Sequence, residues 1–310
     1  MYFGAPVWPL QWNPPYDDTI RRVAAMGFKG VELIGWNRES LTSYYTKQEI
    51  GRLRKLISEL NMRVTNFNHT PGRMTSENKE ERRGFIDDFK RAIDVAAELE
   101  SPFCTMCSQF PFGYDYPDFP PLRYAIELQK WSYSNANMNR DWNQNWKEYV
   151  AAMKELCQYA ATQNIRVLVE PHPYRWVNSA QSMQRLIDHV QEDNLGFNFD
   201  PSHMFPCGDM PEWSIYAMKG RLWHTHFSDN DTITNAHWRP GQGKMNWKAI
   251  MQALKDIGYD GAINFELEDV PGAATPGSAS AGMSNEMEEE LAESKAYITK
   301  ICKDLNIVLE

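Results

Sequence analysis

Short apolar, β-rich runs alternate with longer amphipathic segments along almost the whole chain. The apolar runs are Tyr2–Trp8, Gly30–Ile34, Met62–Asn68, Pro102–Ser108, Ile165–Glu170, Leu195–Asp200, Leu222–Phe227 and Ala262–Glu266. Helical periodicity fills the gaps, over 16–26, 47–60, 77–99, 143–163, 180–190, 211–219, 247–257 and 286–305. Strands that alternate with helices predict βα units and a parallel sheet. Eight such pairs follow one another with no shift in composition. They predict one α/β domain over residues 1–310, a closed (β/α)8 TIM barrel rather than an open sheet. Two stretches break the rhythm. Residues 109–140 are rich in Pro, Tyr, Phe, Trp and Asn, and their aromatic content predicts an ordered insertion after strand four. Residues 271–284 are rich in Gly, Ala and Ser and read as a flexible loop before the last helix.

Composition narrows the class of partner. Of 310 residues, 42% are apolar and 13% aromatic, enough for a sizeable core. With 41 acidic against 32 basic residues the net charge is −9. A protein that works on phosphate backbones carries the opposite bias, and an acidic surface has no attraction for anionic lipid. Nucleic acid and membrane are therefore not expected as partners. The N-terminal stretch lacks a basic segment followed by an apolar core, and no apolar run of about 18 residues is present to span a bilayer. Five irregularly spaced cysteines argue for reduced thiols and a cytoplasmic setting. Cys104 and Cys107 form a CxxC, but with no second pair or adjacent His they read as thiols of an apolar strand.

In barrels of this kind the active site lies at the C-terminal ends of the strands. Strand five ends in Glu170-Pro-His172 and strand six in Asp200-Pro-Ser-His203. Strand seven carries His224-Thr-His226-Phe-Ser-Asp229, and strand eight ends in Glu266-Leu-Glu268. Three acids at the mouth with no adjacent Lys or Arg are costly to bury unless a positive charge joins them. The set Glu170, Asp200, His226 and Glu266 therefore predicts one divalent metal ion. A mostly oxygen donor set suits Mn²⁺, Mg²⁺ or Co²⁺ better than a zinc of the thiolate-bound structural kind, with Zn²⁺ still an option.

Those four residues resemble the ligand set of the xylose-isomerase-like barrel superfamily of sugar isomerases and epimerases. So do Gly27-Phe-Lys-Gly-Val-Glu-Leu33, Asp200-x-x-His203 and Pro240-Gly-Gln-Gly243 with Asn246-Trp247. The resemblance covers nearly the whole chain and implies one metal ion that binds adjacent oxygens of a sugar. Two positions depart from it. Ser228 precedes Asp229 where a Lys is common, and Thr232 stands where ketose 3-epimerases carry an Arg. Glu170-Pro-His172 and the aromatic insertion look like the catalytic subunit of the C-glycoside deglycosidases. That likeness implies a Mn²⁺-type ion, His172 as base, and a small β-rich partner subunit; an oligomer is also expected.

The chemistry common to these readings is removal of a proton beside a carbonyl. In a deglycosidase the resulting enolate of a 3-oxo-glycoside expels the aglycone; in an isomerase or epimerase it is reprotonated. Cleavage ranks first here and keto-sugar isomerisation second. His172 is the expected base, since imidazole titrates near neutrality; the other reading is a group that orients Glu170. His203 is the candidate acid or holder of a substrate oxygen, against a capping role. His69, His237, Arg239 and Glu32 are candidate substrate contacts, each with an interior structural role as the alternative. His224 and His189 read as structural. The aromatic residues Phe110, Phe112, Tyr114, Tyr116, Phe119, Trp131, Trp142 and Trp146 would stack on a sugar or polyphenol, or pack the insertion onto the barrel. Two other classes fit less well. A three-zinc DNA-repair barrel would need a strand-four His and an Asp where Asn235 stands, and a metal-free sugar binder would not need four ligands.

Overall fold

The computed structural model describes residues 1–113, 140–278 and 282–310. Eight parallel strands close into a barrel in sequence order, β1 against β2 and so on round to β8 against β1. The strands are β1 (Tyr2–Pro6), β2 (Gly30–Ile34), β3 (Arg63–Asn68), β4 (Phe103–Cys107), β5 (Arg166–Glu170), β6 (Leu195–Phe199), β7 (Leu222–Phe227) and β8 (Ala262–Phe265). Each is buried along most of its length, as a parallel sheet wrapped by helices requires.

The helices are α1 (Asp17–Ala25), α2 (Lys47–Glu59), α3 (Lys79–Glu98), α4 (Trp142–Thr162), α5 (Ala180–Val190), α6 (Pro201–Met204), α7 (Pro211–Ala217), α8 (Trp247–Asp256) and α9 (Asn285–Asp304). Side-chain oxygens accept from free N–H groups at several of their starts: Asn78 caps α3, Asp141 caps α4 and Ser179 caps α5 in a reciprocal box with Ser182. None of the described helices is long and apolar enough to cross a membrane.

Two differences from the expected elements bear on function. β1 ends at Pro6 rather than Trp8, and the chain turns so that Trp8 is free to reach the mouth. β6 ends at Phe199, and Asp200 caps a one-turn helix, α6, that periodicity is too short to reveal. The described part of the expected insertion holds a 3-10 turn at Pro111–Gly113. Asn145 of α4 pins this turn by accepting from the Phe112 N–H (2.9 Å) and donating to the Thr75 carbonyl (2.7 Å). Phe112, Trp142, Trp146 and Trp176 pack against one another here in edge-to-face and tilted contacts. Tyr114, Tyr116, Phe119 and Trp131 lie outside the described residues.

Candidate metal centre

Strand register brings the four expected ligands to one level. Glu170 closes β5 opposite Cys107 of β4, and Asp200 follows β6. His226 lies in β7, and Glu266 follows β8 with its N–H donating to the Phe227 carbonyl (3.2 Å). One ligand atom from each lies within 4.8 Å of all the others, and all four residues are buried. His226 Nδ1 stands 2.5 Å from Glu170 Oε1 and 3.0 Å from Glu266 Oε2.

The donor chemistry fits a divalent cation. Asp200 Oδ1 accepts from the Ser202 N–H (2.7 Å), but Asp200 Oδ2 is buried with no hydrogen-bond partner. Glu266 Oε1 accepts from the Trp8 indole (2.8 Å), and again Oε2 is left over. Burying carboxylates costs several kcal/mol per ion, so two oxygens that accept no hydrogen bond at one focus favour positive charge there, from the nearby imidazoles or from a bound cation. The titration behaviour expresses the same demand. Burial opposes a charged His226, yet Glu32, Glu266 and Glu170 outweigh it and hold the imidazole well above its usual value. Burial pushes Glu170 well above the carboxylate range against the pull of His226. Asp200 is lowered, because His237 and His226 outweigh its burial.

Other residues steady the ligands. Asn198 of β6 donates to Glu170 Oε1 (2.8 Å), and the Cys107 thiol donates to Glu170 Oε2 (3.5 Å). The sequence reading assigns Trp8, Asn198 and Cys107 no role at the site. A faint signal exists for Asn198, a lone amide between two phenylalanines of an apolar strand.

Two imidazoles gather beside Asp200, and a third stacks on one of them. His203 Nε2 and His237 Nε2 each lie 3.4 Å from Asp200 Oδ2. These three residues also place one ligand atom each within 4.8 Å of one another. His203 donates from Nδ1 to Asn235 Oδ1 (2.8 Å). His172 stacks on His203 with ring centroids 3.6 Å apart, and its Nδ1 lies 3.9 Å from Glu170 Oε2. The structure thus brings His172, His203 and His237 to the cluster.

The three other expected contacts are each engaged by neighbouring residues. Glu32 does not line the mouth: it is fully buried behind His226, accepting from His226 Nε2 (2.8 Å) and His224 Nε2 (2.9 Å). Those imidazoles outweigh the penalty of burial and hold its carboxyl down at about 2. Arg239 pairs with Glu290 of α9 (3.0 Å), so its charge clamps a loop onto a helix. His69 donates from Nδ1 to the Gly35 carbonyl (2.5 Å) and stacks on Phe89, and burial lowers its pKa. His189, on α5, accepts from the Trp146 indole (2.8 Å).

The loop that delivers His237 is organised by Asp229. Its carboxylate accepts from Gly241 N (2.9 Å), Met245 N (3.2 Å) and Trp247 Nε1 (2.9 Å). A Cβ at Gly243 would come within 2.2 Å of Asp229 Oδ1, which explains the glycine of the Pro-Gly-Gln-Gly turn.

Known proteins share this architecture. Over 261 residues the chain is 24% identical to fructoselysine 3-epimerase of Shigella flexneri, covering 82% of this chain and 85% of that protein. Over 270 residues it is 25% identical to 3-dehydroshikimate dehydratase of Bacillus anthracis, covering 81% and 85%. The solved D-psicose 3-epimerase of Clostridium cellulolyticum H10 superposes with a TM-score of 0.76 at 20% identity, covering 97% of this chain and 99% of that one. The family model described as xylose isomerase-like TIM barrel matches residues 20–300, and the chain belongs to that family.

Proposed function

We propose that the chain is a divalent-metal-dependent epimerase or isomerase of a keto sugar or a closely related polyhydroxy ketone. The observation that carries this is the convergence of Glu170, Asp200, His226 and Glu266, with two buried carboxylate oxygens that accept no hydrogen bond. Those four residues would hold the ion, with Mn²⁺ the first choice for such a donor set. When bound, the ion supplies Lewis-acid polarisation of a carbonyl beside a hydroxyl.

The chain's own groups then handle the proton. His172 takes the proton from the carbon next to the carbonyl. Its ring is held against His203, and its Nδ1 meets the Glu170 carbonyl oxygen (3.4 Å) rather than the carboxylate, 3.9 Å away. The substrate passes through an enediolate and is reprotonated, which inverts the carbon or moves the carbonyl. His203 and His237, fixed by Asn235 and the Asp229-centred loop, hold substrate oxygens.

The relatives support this reading above the cleavage that ranked first from sequence, because a curated relative spanning most of the chain is a sugar 3-epimerase. Cleavage of a 3-oxo-glycoside by β-elimination is the second reading. It shares the first proton transfer, and a dehydratase among the relatives favours elimination from such an intermediate. The β-rich partner subunit belongs to that second reading and rests on sequence resemblance, as does the expected oligomer.

The test is to incubate Mn²⁺-loaded protein in D2O with free ketoses and, separately, with a 3-oxo C-glycoside. Deuterium uptake with inversion at the carbon beside the ketone, and no aglycone release, is the expected result. Aglycone release without exchange into ketoses would establish cleavage instead.

A further inference from the structure

We infer that Glu32 is the positioning residue of the metal centre: its carboxylate accepts the hydrogen bond from the Nε2–H of His226 and so turns the Nδ1 lone pair toward Glu170 and Glu266. This rests on the proposed metal site and adds to it the group that fixes how His226 binds.

An imidazole offers a cation a lone pair on one nitrogen only when the other carries the proton, and a hydrogen bond to that other nitrogen decides which tautomer exists. His226 meets both conditions in one orientation. Nε2 lies 2.8 Å from Glu32 Oε2, while Nδ1 faces Glu170 Oε1 at 2.5 Å and Glu266 Oε2 at 3.0 Å. Glu32 has no exposed surface and meets the centre through the His226 ring.

The surroundings of Glu32 show a carboxylate that is itself held in place. Asn66 of β3 donates to Oε1 (2.7 Å). His224 of β7 and Asn264 of β8 approach Oε2 at 2.9 and 3.2 Å. Asn66 is in turn fixed by the Thr105 hydroxyl of β4, which donates to its Oδ1 (2.9 Å). Four strands therefore converge on one acid in the barrel axis. Filling that space with aliphatic side chains would be the cheaper solution for stability alone.

The experiment compares wild type with Glu32→Gln, which keeps the shape but loses the charge. Mn²⁺ affinity is measured by titration calorimetry on the whole protein. Circular dichroism and melting of the metal-free proteins report folding. The expected result is a Kd for Mn²⁺ raised about 10- to 100-fold in the variant, with the spectrum unchanged. A wild-type measurement guards against a variant that fails to fold. In protein loaded with diamagnetic Mg²⁺, ¹⁵N NMR of labelled His226 should show the proton on Nε2 in a strong hydrogen bond. Equal Mn²⁺ affinity in a folded variant, or a proton on Nδ1 in the loaded wild type, overturns the role of Glu32 and leaves the metal site standing. A wild type that takes up neither Mn²⁺ nor Mg²⁺ overturns the site, and the inference with it.

Discussion

Each residue at the barrel mouth is defined by what would be left unpaired if it changed. Glu170→Gln or Asp200→Asn removes an anionic oxygen from the focus around His226 Nδ1, so Mn²⁺ binding and turnover should vanish together, read by elemental analysis and a coupled assay. His172→Ala removes no ligand atom of that set. It should lower kcat by about 10²- to 10⁴-fold while the bound metal stays stoichiometric. Loss of metal from that variant would reduce His172 to a support for Glu170. Proton competition gives the sign of the pH dependence. His226 and Glu170 both sit above their usual pKa values, and both must shed protons to bind a cation. Apparent Mn²⁺ affinity should therefore climb as pH rises through the neutral range and collapse on acidification, which calorimetry in buffers of different ionisation heat can follow.

Whole strands and helices were legible in the sequence because their two periodicities differ. The strand-end acids were legible because each interrupts an apolar run. What escaped was anything decided by a partner far along the chain. Arg239 reads as a free cation near the mouth until Glu290 of α9 is seen beside it. Glu32 reads as a pocket residue until β7 supplies two imidazoles to it. Trp8 escaped because it was counted as strand, whereas leaving β1 at Pro6 lets its indole reach Glu266. Asn145 belongs to the same class. It looks like an ordinary polar residue of an amphipathic helix, yet it ties α4 to the segments after β3 and β4. Asn145→Ala would strand a buried N–H and a buried carbonyl, each costing about 1–3 kcal/mol. Urea unfolding should show a loss of roughly 2–6 kcal/mol with an unchanged slope, and a change within 0.5 kcal/mol would show that water takes over both bonds.

At the scale of the molecule, three strands end at the mouth in buried carboxylates, Glu170, Asp200 and Glu266, gathered around the His226 imidazole of a fourth. A cation bound to the folded state alone should therefore act as a staple across β5, β6, β7 and β8. At a hundredfold excess over its Kd such a ligand adds about 2.7 kcal/mol to folding stability. For a chain of 310 residues the entropy of unfolding is about 0.65 kcal/mol/K, so the melting temperature should rise by roughly 4 °C. The rise should grow with the logarithm of Mn²⁺ concentration and disappear on adding a chelator. Asp200→Asn separates this from nonspecific binding to an acidic surface, because it leaves the rest of the net charge of −9 in place and removes the site. A wild-type shift that persists undiminished in Asp200→Asn would mean that the ion sits on the surface, and the four strand-end residues would then need another source of positive charge.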